Sequence, residues 1–137
     1  MTRQEKKDFL HSYWEITHNC KSLTMELEKL QTLATHITAN ISPVPGGGNG
    51  NKSKIEECAI RIVEIETKLE EELGRTVATR EAILKAIESL PRQYDKTLIR
   101  YRYINCLSYS KIAEETGVDE RWVRRKINKA IDNMKLQ

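Results

Sequence analysis

The chain has 137 residues, a formal net charge of +3, 39% hydrophobic and 31% charged residues, and only 6% aromatic residues. That size supports one domain or two small ones, with a core resting mostly on Leu, Ile, Val and Ala. A membrane span is not expected, because the longest uncharged stretch, Leu30 to Asn51, is rich in Thr, Asn, Gly and Ser. The opening MTRQEKKDFL lacks the apolar core of a signal peptide, so a cytoplasmic protein is expected. Three cysteines, Cys20, Cys58 and Cys106, are odd in number and far apart, which argues against a disulfide framework or a zinc finger. All three fall at apolar positions, where a reduced cysteine behaves as a small hydrophobe.

The first predicted element is a long helix. Phe9, Tyr13, Ile16, Cys20, Leu23, Leu27, Leu30, Ala34, Ile37 and Ile41 alternate spacings of four and three without a break. Such a heptad seam spans on the order of 50 Å if fully helical. Tyr, Cys and Ala on the seam favour packing against another helix over an ideal symmetric zipper. Ser42-Pro43-Val44-Pro45 stops the run, and Gly46 to Asn51 reads as a flexible connector, giving a Gly-rich break at 42–52. Ser53 then caps a second helix, with Glu56 completing a capping box. That helix carries Ile55, Ala59, Ile62, Ile65, Leu69 and Leu73 on one side. Two matching stripes joined by a short connector predict an all-α, antiparallel, coiled-coil-like hairpin over residues 1–75. Leu23, Leu27, Leu30, Ile62 and Leu69 are its candidate self-association residues. Gly74 weakens the second helix by about 1 kcal/mol relative to Ala. The apolar pattern nevertheless resumes at Val77, Ile83, Leu84, Ile87 and Leu90, so a long helix running on to Pro91 is expected.

Beyond Pro91, the residues Leu98, Tyr101, Ile104 and Leu107 form a third apolar face. Arg100 or Arg102 is placed either to reach a phosphate or to make a structural ion pair. Residues 107–134, LSYSKIAEETGVDERWVRRKINKAIDNM, then read as short helix, tight turn and longer basic helix. Ile112 and Ala113 supply the buried side of the first. Gly117 ends it, since glycine readily takes the left-handed conformation a helix terminus often needs. Asp119 stands where a side chain caps the next helix. Val123, Ile127, Ile131 and Met134 give that helix one apolar face, while Arg121, Arg124, Arg125 and Asn128 fall largely elsewhere. This is a helix-turn-helix layout, whose second helix enters a DNA major groove. The charge agrees. Residues 1–74 hold 9 Lys/Arg against 12 Asp/Glu, a net of −3, and residues 75–137 hold 14 against 8, a net of +6. A DNA-binding domain is therefore expected over 76–137.

Ser108 to Met134 resembles the helix-turn-helix of sigma factor region 4, in Ile112-Ala113-Glu114-Glu115, Gly117-Val118 and Val123-Arg124. The wider frame LPRQYDKTLIRYRYINCLSYSKIAEETGV is similar to small sigma-like proteins of phages and prophages of Gram-positive bacteria. These include ArpU-type and RinA-type late-gene regulators and a related family of uncharacterised function. The resemblance covers residues of about 78–135 and more loosely the N-terminal helices. It implies a sequence-specific transcription regulator that binds double-stranded DNA, with host RNA polymerase as a further partner. Glu120, Trp122 and Arg125 depart from the sigma pattern of arginine, arginine and glutamine, so the target sequence does not transfer.

Within this frame Glu120, Arg121 and Arg125 are the candidate base contacts. Arginine can pair bidentately with guanine, and a carboxylate can accept from the cytosine amino group. Lys111, Arg124, Lys126 and Lys129 are the candidate DNA-backbone contacts. Trp122 is expected to pack on the first helix of the motif or touch a DNA edge. A dimer is expected from the long seam. His11, Glu15 and His18 share a helix face, but no further ligands make a zinc site. The Gly-rich break lacks a P-loop ending, and no nucleophile is paired with a base and an orienting group. Neither an enzyme nor a cofactor is expected. The alternatives are a small terminase subunit for DNA packaging, and a polymerase-binding protein that does not touch DNA.

Overall fold

The computed structural model describes residues 1–39 and 49–136. The elements are α1 (Arg3–Ala39), α2 (Asn49–Glu88), α3 (Gln93–Ile99) with a π-helical turn at Arg100–Ile104, α4 (Tyr109–Thr116) and α5 (Glu120–Asn133). The fold class is all-α, as expected, with no strand among the described residues. None of the described helices is long and apolar enough to cross a membrane. Ile41, the Ser42–Pro45 stop and the connector as far as Gly48 lie outside the described residues. Its remainder is not a connector, because α2 already begins at Asn49. Ser53 therefore sits inside the helix, and the capping box with Glu56 does not form. Asn and Gly are acceptable at a helix start, and the apolar face that follows supplies the stability.

Contacts divide the chain into two units, His18–Gly74 and Met1–Thr17 with Arg75–Gln137. This differs from the expected division at 75/76, since the start of α1 is grouped with the C-terminal helices. In the unit His18–Gly74, Glu26 of α1 and Arg61 of α2 pair at 3.9 Å. These residues lie roughly 18–20 Å from the facing ends of their helices. A parallel arrangement would ask the short connection to cover nearly its full extended length, on the order of 36 Å, so the pair is antiparallel. Cys20, Cys58 and Ile65 are buried, and Leu23, Leu27, Leu30, Ile62 and Leu69 are half-buried. The stripe of α2 differs from expectation. Ala59 and Leu73 are exposed, and Cys58 takes the inward position. Ile55, Cys58, Ile62, Ile65 and Leu69 keep the alternating spacing of three and four that a straight helix needs to hold one face inward.

The other unit has a single apolar core. Leu10, Ile83, Ile87, Leu98, Ile99, Ile112, Val123, Ile127 and Ile131 are completely buried. Val77, by contrast, is exposed, although the sequence pattern includes it. Gly74 lies within α2, as the resumed pattern suggested. Around α3 the expected face shifts. Leu98, Ile99 and Tyr103 are buried, while Tyr101, Ile104 and Leu107 are only half-buried. The cause is the π turn. The Asn105 N–H donates to the Arg100 carbonyl at 2.9 Å, five residues back. That spacing brings Tyr103 into line with Leu98, in place of Tyr101.

Candidate nucleic-acid interface

α4 and α5 are set by local signals. The Ser108 hydroxyl accepts from the Lys111 N–H at 3.1 Å and caps α4. Gly117 ends that helix at φ +72°, and its N–H donates to the Ala113 carbonyl at 2.8 Å. Asp119 occupies the cap position of α5 in extended backbone, but its side chain makes no capping bond. The acidic complement to the N-terminus of α5 is therefore electrostatic, from Asp119 and Glu120.

α5 buries Val123, Ile127, Ala130 and Ile131. At 100° per residue the opposite face carries Arg121, Arg125, Asn128 and Asp132. Arg121 and Arg125 are exposed, and neither makes an ion pair among the described residues. Two expected base contacts thus stand free on the outer face. The third, Glu120, is exposed but paired, with Arg124 Nη2 3.3 Å from its Oε1.

Arg124 is held from a second side. Its guanidinium lies 4.9 Å from the centre of the Tyr109 ring, which Arg102 also meets at 4.2 Å. Arg102 Nη1 donates to the Leu107 carbonyl at 2.9 Å. Arg102 is therefore a structural residue that braces the turn into α4. Arg100 and Lys96 both pair with Glu88, at 3.7 and 3.3 Å, so structural pairing applies to Arg100 as well. Lys111 is exposed and pairs on its own helix with Glu114 and Glu115, each at 3.6 Å. Exposed pairs of this kind are weak and yield to a competing phosphate.

Trp122 is half-buried against the core. Its ring meets Tyr94 of α3 edge-on, with centroids 5.7 Å apart, and Lys126 lies 5.7 Å from its centre. Trp122, Lys126, Lys129 and Asn133 recur at four, three and four residues, which turns this side of α5 toward α3. Lys126 and Lys129 line a cavity of about 230 Å³ with Arg92 and Asp95. Asp95 is only 9% exposed, and its Oδ1 has no hydrogen-bond partner. The two lysines thus lie to one side of the arginine face of α5, with Arg124 to the other.

His11 pairs with Glu15 at 3.8 Å and stacks on Trp14 at 5.3 Å. Among the described residues no three metal-binding side chains come together. Burial raises the pKa of the Cys106 thiol, although Arg102 opposes this.

Residues 80–134 match the family model of sigma-70 region 4. The C-terminal helices are a sigma-70 region 4-like domain. No curated protein and no solved structure matches the chain. The region 4-like span runs from late α2 through α5 and contains every candidate DNA contact. It leaves out Leu10, which is completely buried in the same core.

Tyr109, Ser108 and the start of α1 were not anticipated at this site. Ser108 carried a legible signal, a hydroxyl just ahead of a helix. Tyr109 carried none, because its partners Arg102 and Arg124 are brought to it only by the fold.

Proposed function

We propose that the chain is a sequence-specific DNA-binding regulator of transcription, of the sigma-like type found in phages and prophages. α5 lies in the major groove, where Arg121 and Arg125 read base edges. Glu120 joins them once Arg124 exchanges its carboxylate partner for a phosphate. Arg124, Lys126, Lys129 and Lys111 flank the groove and hold the backbone on both sides. The observation that carries this reading is the pair of free, exposed arginines on the outer face of α5, within a domain of region 4 type. Sigma region 4 domains bind DNA and RNA polymerase, which supports host polymerase as a second partner. Self-association, with a dimer as the expected state, rests on the unit His18–Gly74. Met25, Leu33, Ile60 and Val63 are exposed there.

The test is selection of bound duplexes from a random pool by the full-length protein, followed by titration of the winner against scrambled DNA. A defined motif favours the regulator. Polymerase capture without any DNA selection favours the interaction protein, and a ring-shaped assembly favours the packaging subunit.

A further inference from the structure

The outer face of α5 does not stay basic to its end. Arg121, Arg125 and Asn128 are followed at the same spacing by Asp132. The helix C-terminus adds partial negative charge at that end, about half an electron. Along a groove walled by phosphates both are unfavourable.

The first two turns of α1 counter them. Arg3 grips Asp132 with two hydrogen bonds, Nε to Oδ1 at 2.8 Å and Nη2 to Oδ2. Lys6 Nζ donates to the Ile131 and Asp132 carbonyls at 3.2 and 3.1 Å, capping the end of α5. Lys7 is half-buried beside them and makes no ion pair among the described residues. Arg3 foremost, with help from Lys6 and Lys7, holds the Asp132 carboxyl below its ordinary value. Three cations against one carboxylate and a helix end change the local charge from about −1.5 to about +1.5. An ion pair this exposed contributes little to stability, and the buried Leu10 already anchors α1. The surplus positive charge is therefore not explained by holding the fold together.

We propose that the start of α1 belongs to the DNA-binding surface. Arg3, Lys6 and Lys7 turn the acidic end of the recognition face into a cationic edge that meets the phosphate backbone beside the groove. This inference rests on the DNA-binding reading above and adds a contact outside the region 4-like span.

The test is titration of the full-length protein against one selected duplex at several salt concentrations. Lys7→Gln breaks no ion pair, so folding is preserved. We expect its salt slope to shrink by about one, with roughly fivefold weaker binding near 0.15 M salt and unchanged sequence preference. Arg3→Gln uncovers Asp132 and weakens binding to all sequences alike. Adding Asp132→Asn restores most of that loss, although the ion pair is still missing, which a purely structural clasp does not allow. Wild-type slope and affinity in Lys7→Gln overturn the inference, as does failure of Asp132→Asn to rescue. A wild-type chain that binds no duplex overturns the DNA-binding reading itself, and this inference with it.

Discussion

At the residue scale, the free guanidinium groups of Arg121 and Arg125 make the sharpest claim. Arg121→Ala and Arg125→Ala should each lose about 1–3 kcal/mol of discrimination at one base pair while leaving thermal stability unchanged. Competition titrations against single-base variants of the selected site measure this. Gly117 gives a prediction of a different kind. A Cβ there meets nothing within 4 Å, so Gly117→Ala creates no clash and acts only through its positive φ. We expect a loss of about 1–2 kcal/mol in denaturant unfolding, the penalty of left-handed backbone for a side-chain-bearing residue. Tyr103 adds a pH dependence. Burial, and next the neighbouring Tyr109, push its pKa from 10.0 up to about 12. The folded state therefore keeps a proton that the unfolded chain releases, so this contribution is intact below pH 10 and is lost as the pH rises toward 12. Melting temperature should fall over that window, and less so in Tyr103→Phe. These residues also show what was legible. Gly117 announces its conformation by its type. Cys106 adopts a positive φ of 59°, and nothing about a cysteine signals that.

At the scale of elements, the helices of the C-terminal part were readable because period and punctuation agree there. Gly117 separates α4 from α5, and the apolar spacing of α5 matches its buried face. The face of α3 departs from the sequence pattern because the π turn at Arg100–Ile104 resets the register, and no residue in RYRYI marks it. The described seam residues of α1, Phe9 to Ile37, are buried or half-buried, but the first turns also bury a residue outside that series. Leu10 is not on the heptad series, yet it is completely buried with Ile83, Leu98 and Ile131. Truncating it should therefore matter more than truncating a seam leucine. Leu10→Ala should cost about 2–5 kcal/mol, and the half-buried Leu27→Ala less. Chemical denaturation of the two variants, followed by circular dichroism, checks the order. A larger loss for Leu27→Ala would mean that the stability of the chain is concentrated in the unit His18–Gly74.

For the whole molecule, the division of charge survives the change of boundary. Met1–Thr17 holds three Lys/Arg and three Asp/Glu, so moving it leaves the unit that carries the region 4-like span at a net +6 and the unit His18–Gly74 at −3. The boundary itself was not legible, because it depends on which part of a continuous helix shares a core with distant residues. A fragment of residues 76–137 keeps the region 4-like span but lacks Leu10, Arg3 and Lys6. We expect it to melt well below the full chain and to regain stability when a peptide of residues 1–17 is added. The most direct measurement is titration of the full-length protein against its selected duplex and against scrambled DNA, at several salt concentrations. We expect the selected site to be bound at least about a thousandfold tighter than scrambled DNA, with log affinity falling by about 3–5 per decade of salt. Equal affinity for both duplexes, or binding that ignores salt, would contradict recognition by α5 and its flanking cations.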